Sequence, residues 1–125
     1  MIPVVGTLIV NEIKWLKRQI NSVDFPVENY IIINNSAGEL NDELDQLVTK
    51  KHKHIKNLKV YHMPYNIGCA GGWNMIMKSF MHSPYWVIIN HDCSFGSGFL
   101  KEMYEAAQDK RSEEHTSELQ SPDHL

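Results

Sequence analysis

The chain alternates short apolar runs with stretches in which apolar residues recur every three or four positions. Residues 3–11 form a nearly continuous run of aliphatic and β-branched side chains, which is the pattern of a strand buried on both faces. Further apolar runs at 29–34, 58–63 and 85–90 are bounded by polar or turn-forming residues. The pattern therefore predicts four strands.

The segments between these runs favour helices. Apolar residues at helical spacing, or the turn signals that flank them, predict helices at about 11–22, 40–48, 73–81 and 99–107. Residues 66–72 are rich in glycine and are interpreted as a loop that leads into the third helix. The basic segment 50–56 is interpreted as the solvated C-terminus of the second helix, where cations complement the helix dipole.

Alternation of strand and helix predicts an α/β fold, with a Rossmann-like, mostly parallel sheet and helices on both faces. In such sheets a ligand binds outside the carboxyl ends of the strands, at the point where the strand order reverses. We therefore expect ligand-binding residues in the segments that directly follow each strand.

Composition narrows the class of protein. The chain has 125 residues, of which 42% are hydrophobic, enough for the core of one domain. Neither a membrane span nor a signal peptide is recognisable, so we expect a cytoplasmic protein. Residues 111–125 hold one basic and four acidic side chains, which leaves eleven of each in the rest of the chain. A neutral body argues against nucleic acid or an anionic membrane as the main partner.

The two cysteines, Cys69 and Cys93, do not form a CxxC pair. This spacing disfavours both a zinc site and a disulfide framework. We expect two reduced and mostly buried side chains.

Residues 111–125 break the pattern, because leucine is their only apolar residue type and they show no periodicity. They resemble the in-frame translation of a common short-read sequencing adapter. We therefore expect a natural domain over residues 1–110, followed by a non-native, disordered tail without function.

Polar and glycine residues collect where the strands end. Each group alone is typical of turns and helix caps, but parallel strands would bring all of them to one edge. The groups are Thr7, Asn11 and Glu12; Asn34, Asn35 and Ser36; Asn66, Gly68, Gly71, Gly72 and Asn74; and Asn90, His91 and Asp92.

Over residues 3–108 these segments resemble the family-2 glycosyltransferases with the GT-A fold. The segment NIGCAGGWN, residues 66–74, is similar to the family's Asn-x-Gly…Asn motif, and Asn90-His91-Asp92 is similar to its DxD-type motif. The resemblance implies that the strand-end groups bind a nucleoside-diphosphate sugar. It also implies that Asp92 binds a divalent cation, manganese or magnesium, that bridges the two phosphates of the donor.

Two positions depart from the family pattern. Asn34 stands where the family usually has an acidic residue that accepts a hydrogen bond from the pyrimidine ring, so the identity of the base stays open. His91 is unusual inside the motif, and its side chain is expected to point to the other side of the sheet, although a ligand role is left open.

The resemblance also implies what lies elsewhere. An inverting transferase needs a general base, and in this family that carboxylate and the acceptor site come from the second half of the domain. We therefore expect the base beyond Lys110, an unknown glycan, protein or lipid acceptor, and donor binding without transfer by this chain. Two alternatives stay open: a sugar nucleotidyltransferase, and a non-catalytic, flavodoxin-like binding module.

Overall fold

The structure is a computed structural model, and it describes residues 1–108. The predicted tail, residues 111–125, lies outside the described residues. Strands and helices alternate strictly along the chain. They are β1 (Ile2–Ile9), α1 (Ile13–Asn21), β2 (Val27–Asn34), α2 (Asn41–Thr49), β3 (Ile55–His62), α3 (Gly68–Ser79), β4 (Val87–Ile88) and α4 (Phe99–Gln108).

The four strands form one parallel sheet in the order β3-β2-β1-β4. The chain builds outward from β1 to β3 and then crosses back to place β4 on the other side of β1. The strand order therefore reverses at β1, as it does at the ligand-binding crevice of doubly wound sheets. This topology confirms the predicted Rossmann-like α/β fold.

The sheet separates two apolar cores. On one face, residues of β1 and β2 pack against α1, α2 and α4, and Leu16, Ile20, Leu44 and Leu100 are among the buried side chains. On the other face, α3 packs with Ile76 as its buried apolar side chain. Helices thus cover both faces, but three lie on one and one on the other.

The start of α3 corrects the sequence interpretation of residues 66–72. The helix begins at Gly68, so the glycines at 68, 71 and 72 form its first turns and not a preceding loop. Glycine is a weak helix former, which is why the sequence pattern favoured a loop. Close packing explains its use here: a Cβ on Gly72 would lie 2.5 Å from Leu8 Cδ2 on β1.

Three further boundaries differ from expectation. The pairing of β4 is confined to Val87 and Ile88, shorter than the apolar run predicted. Strand β3 begins at Ile55, and α2 ends at Thr49, so most of the basic segment 50–56 connects these elements and does not cap the helix.

Both cysteines are free, as expected, but they are exposed and not buried. Within residues 1–108 no helix is long and apolar enough to cross a bilayer.

Candidate functional site

Three strands end at one edge of the sheet and carry the predicted site residues with them. Ile9, the last residue of β1, pairs with Asn34, the last residue of β2, and Gly6 pairs with Ile88 on β4. The Ile89 amide continues beside β1 by donating to the Gly6 carbonyl at 3.0 Å. Because all strands are parallel, the segments after β1, β2 and β4 meet at this carboxyl edge.

Asn34 lies at the buried end of a chain of hydrogen-bonded polar side chains that reaches the surface. Its side chain is fully buried, and its Oδ1 accepts the Ser36 backbone N–H at 3.0 Å. Its Nδ2 donates to Asn41 Oδ1 at 2.7 Å and contacts His62 Nδ1 at 2.8 Å. His62 Nε2 lies 2.6 Å from Asp45 Oδ1. The chain is consistent if His62 accepts at Nδ1 and donates from Nε2 to the carboxylate.

Asn35 joins the end of β2 to the start of α3. Its backbone N–H donates to the Ile9 carbonyl at 2.8 Å. Its Oδ1 accepts from the Ile67 N–H at 3.3 Å, and its Nδ2 donates to the Gly68 carbonyl at 3.4 Å. This side chain therefore sets where the glycine-rich helix begins relative to the edge of the sheet.

The start of α3 has exposed residues. Asn66 Oδ1 accepts the Gly68 N–H at 2.8 Å, and the N-cap residue, Ile67, makes no side-chain cap. The next residues, Cys69 and Ala70, are exposed. The first turn of a helix attracts anions through its backbone amides and its dipole.

Asp92 lies in a tight turn after β4. The Cys93 N–H donates to the Asn90 carbonyl at 3.1 Å, so His91 and Asp92 occupy the middle of the turn. Asp92 is exposed, and its Oδ1 lies 3.7 Å from the Cys93 thiol. Partial burial, the Asp92 charge and this hydrogen bond together raise the pKa of the Cys93 thiol.

A metal ion at this edge would have one protein carboxylate available in the turn. In the described part of the chain, no group of three or more His, Cys, Asp or Glu side chains is arranged to hold a metal ion. One exposed carboxylate fits magnesium or manganese, because such ions usually keep several waters and are completed by substrate phosphates. It would not fit an all-protein zinc site.

The structure does not bring every predicted residue to the edge in the same way. Thr7 is fully buried and its hydroxyl has no hydrogen-bond partner, so it lies in the core and presents no surface to a ligand. Glu12 is exposed, but its carboxylate accepts the Trp15 indole N–H at 3.1 Å. Asn11, Asn74 and Asn90 are exposed and His91 is half-buried. The orientation of the His91 side chain stays a prediction.

A cavity of about 370 Å³ lies at the opposite end of the sheet, between the end of α3 and the starts of β1 and β2. Its lining includes Pro3, Glu28 and Phe80 and none of the strand-end groups.

Sequence reasoning missed four side chains that build this edge: Gln19, Asn41, Asp45 and His62. Three of them act through strand register and helix placement, which sequence spacing does not reveal. Gln19 did carry a signal, because it lies between Leu16 and Ile20 on the side of α1 that faces the core. A polar residue at such a position must find buried partners, and Gln19 finds the carbonyls of Asn90 and Cys93.

Comparisons with known proteins bear on the fold and on the family. A search of curated protein sequences found no match. Among solved structures, the crystal structure of residues 1–349 of TarS from S. aureus superposes with a TM-score of 0.68 at 21% sequence identity. The match covers 93% of this chain and 33% of that one, so the chain spans about a third of the length of this structural relative. At this identity the likeness shows the fold alone.

The family comparison reaches further. The model of glycosyl transferase family 2 matches residues 5–113, which is most of the chain. The matched region contains most of β1, all of the other three strands and the strand-end groups described above. The chain therefore belongs to glycosyl transferase family 2.

Proposed function

We propose that this domain binds a nucleoside-diphosphate sugar at the carboxyl edge of its sheet through a divalent cation at Asp92. Membership of a glycosyl transferase family supports sugar transfer as the activity of the whole protein. The observation that carries the proposal is the convergence, at one edge, of an exposed carboxylate and the exposed first turn of α3. These are the two kinds of group that a metal-bound diphosphate requires.

Asp92 is suited to a cation because nothing else neutralises it. Among the described residues, no cationic side chain pairs with Asp92. An exposed carboxylate can approach a hydrated cation without a large desolvation cost. When bound, the cation would offset the negative charge that gathers on the diphosphate as the sugar–phosphate bond breaks.

The start of α3 supplies the second contact with the donor. Cys69 and Ala70 are exposed residues in the first turn of α3, and their backbone N–H groups would favour a phosphate oxygen through hydrogen bonds and the helix dipole. Glycine at 68 and 71 keeps side-chain bulk away from this approach. In this proposal the start of α3 and the cation at Asp92 each stabilise part of the negative charge of the diphosphate.

Asn34, Asn35 and Ser36 contribute to the site by shaping it. All three are buried, and their side chains bond to backbone or to neighbouring side chains. The Asn34 oxygen has one lone pair beyond its bond to the Ser36 N–H. Asn34 is as fully buried as Thr7, so contact with the base would require this oxygen to be uncovered. Because it belongs to an amide, such a contact would carry no charge, unlike that of a carboxylate.

Transfer itself is proposed for the full-length protein. The reaction would be inverting, with a general base beyond Lys110 that deprotonates the hydroxyl of a glycan, protein or lipid acceptor. Of the carboxylates on α4, Glu102 and Glu105 are exposed helix residues, and neither is joined to the turn by a hydrogen bond within the described residues. We therefore propose that this chain binds donor without transferring sugar.

The test is calorimetric titration of the chain with UDP, GDP and dTDP, in the presence and absence of Mn²⁺. We expect diphosphate binding that requires Mn²⁺ and weakens by about tenfold or more in Asp92→Asn, because a charge-assisted contact contributes about 1.5–3 kcal/mol. Asp42→Asn, at an exposed position on α2, is the matched control.

Two outcomes would contradict the proposal. If the diphosphate binds equally strongly without Mn²⁺, or equally strongly to Asp92→Asn, then Asp92 does not bind a cation that the donor needs. Binding of a nucleoside triphosphate together with a sugar phosphate, in preference to a diphosphate, would indicate a nucleotidyltransferase.

A further inference from the structure

The turn that carries Asp92 is hydrogen-bonded to one buried side-chain amide, that of Gln19. Gln19, on α1, donates from Nε2 to the Asn90 carbonyl at 2.6 Å and to the Cys93 carbonyl at 2.8 Å. The Asn90 carbonyl also accepts the Cys93 N–H that closes the turn. Gln19 therefore hydrogen-bonds to both ends of the turn whose middle residues are His91 and Asp92, although it lies 71 residues away from Asn90 in sequence.

Tyr30 fixes the orientation of that amide. Its hydroxyl, on β2, donates to Gln19 Oε1, and both side chains are fully buried. Burial raises the pKa of Tyr30 well above its ordinary value, so the phenol stays neutral and keeps its proton to donate. With the Gln19 oxygen occupied by Tyr30, only its N–H groups can face the two carbonyls.

Two further contacts continue the attachment toward α4. Ser22 Oγ accepts the Phe95 N–H at 2.8 Å, and Asp24 Oδ2 accepts the Gly98 N–H at 3.1 Å. Residues near the end of α1 thus hold the segment between β4 and α4 at successive points. Gln19 is the contact nearest to Asp92.

Packing alone does not explain a glutamine at this position. The neighbouring core positions on α1 are Leu16 and Ile20, and an aliphatic side chain at 19 would fill the same space without the cost of burying an amide. The amide is instead matched to the two carbonyls that flank His91 and Asp92. Second-layer hydrogen bonds of this kind orient the groups that touch a metal.

We infer that Gln19, oriented by Tyr30, is a positioning residue that fixes the Asp92 carboxylate for the cation. This inference rests on the proposed function of Asp92 as the cation ligand. Without the Gln19 amide, the Cys93 carbonyl loses its side-chain donor and the turn is released from α1, so the Asp92 carboxylate is no longer held in one direction.

The first test compares Mn²⁺-dependent UDP binding in wild type, Gln19→Met and Tyr30→Phe, at a temperature at which all are folded. We expect Gln19→Met to weaken binding by about tenfold or more, the usual effect of removing such a second-layer partner, and Tyr30→Phe to weaken it less. Gln46→Met, an exposed position on α2, controls for the exchange itself. Ile20→Val, in the adjacent core position, controls for lost stability.

The second test does not depend on the nucleotide. It measures hydrogen exchange of the Cys93 backbone amide by NMR, because this N–H closes the turn by donating to the Asn90 carbonyl. We expect Gln19→Met to speed this exchange by about threefold or more, the effect of losing a hydrogen bond on local opening. Ile20→Val should leave it nearly unchanged.

The two tests separate this inference from the proposed function. If wild type shows no Mn²⁺-dependent UDP binding, the proposed function fails, and the exchange rates of the Cys93 amide still decide whether Gln19 holds the turn that carries Asp92. If Gln19→Met matches Ile20→Val in UDP affinity and in the exchange rate of the Cys93 amide, Gln19 only stabilises the fold and the inference is overturned.

Discussion

At the scale of single residues, the surroundings of Asn34 explain why an amide stands there. The side chain must donate to Asn41 Oδ1 and to His62 Nδ1 while accepting from the Ser36 N–H. A carboxylate can accept but cannot donate. The departure from the acidic residue of the family pattern is therefore matched by partners on α2 and β3 that need a donor.

This matching predicts that Asn34→Asp destabilises the fold in a pH-dependent way. At pH 8 the new carboxylate would face two acceptors at a fully buried position, and we expect a loss of about 2–4 kcal/mol in the free energy of unfolding. One added proton supplies the missing donor. The folded state therefore binds this proton more readily than the unfolded state, and the penalty grows as the pH rises.

Urea unfolding of Asn34→Asp and wild type at pH 5.5 and pH 8 measures this penalty. Asn57→Asp, on the half-buried β3 edge where Asn57 donates to Asn29 Oδ1, is the comparison variant. An equal penalty for Asn34→Asp at both pH values would show that the buried chain does not depend on an amide at residue 34.

At the scale of elements, the packing of α3 depends on two glycines that meet apolar side chains across the interface. A Cβ on Gly72 would lie 2.5 Å from Leu8 Cδ2 and 2.8 Å from Leu8 Cγ, and a Cβ on Gly6 would collide with Ile76. Glycine on each side lets β1 and α3 approach closely. This approach places the start of α3 against the ends of β1 and β2.

We therefore predict that Gly72→Ala destabilises the protein although alanine is the better helix former. Helix propensity alone would stabilise by about 1 kcal/mol, but the added methyl overpacks Leu8, and we expect a net loss of about 1–3 kcal/mol in the free energy of unfolding. Gly96→Ala, where a Cβ meets nothing within 4 Å, is the control.

A double-mutant cycle in chemical denaturation isolates the contact. Leu8→Ala removes the colliding atoms, so Gly72→Ala should cost less, or even stabilise, in the Leu8→Ala background. A penalty for Gly72→Ala that is unchanged by Leu8→Ala would place the strain elsewhere.

The number and type of the elements could be predicted from sequence, because buried parallel strands read as continuous apolar runs. The predicted boundaries of the elements were wrong where tertiary packing outweighs the local secondary-structure propensity. Gly68, Gly71 and Gly72 indicate a loop by propensity, yet they form the first turns of α3 because close contact with β1 needs them. The exposure of Cys69 and Cys93 was likewise hidden, because it depends on where α3 and the turn after β4 lie.

At the scale of the whole molecule, parallel strands alone predict that their carboxyl ends share an edge. That reasoning correctly grouped Asn34, Asn90 and Asp92, since the register places Ile9 beside Asn34 and Gly6 beside Ile88. It did not predict strand order, nor that Asn34 would be hydrogen-bonded to Asn41 and His62. It also placed Thr7 at the site, although period-two alternation turns that side chain into the core.

The distribution of the core also predicts how much of the chain the fold needs. The buried hydrophobic residues of the described part run from Ile2 to Leu100, and α4 adds Phe99, Met103 and Tyr104 as partly buried contacts. Residues 111–125 offer two leucines as their apolar side chains. We therefore expect a chain shortened to end at Lys110 to keep both its melting temperature and its Mn²⁺-dependent UDP affinity.

Comparing the melting temperatures of the shortened and the full chain can contradict this expectation. Burial of one leucine contributes about 1.5–3 kcal/mol, which for a domain of this size corresponds to a shift of several degrees in the melting temperature. A scan of the shortened chain beside the full one would therefore detect a single packed leucine from residues 111–125. A lower melting temperature for the shortened chain would mean that this segment belongs to the folded domain, whatever its sequence resembles.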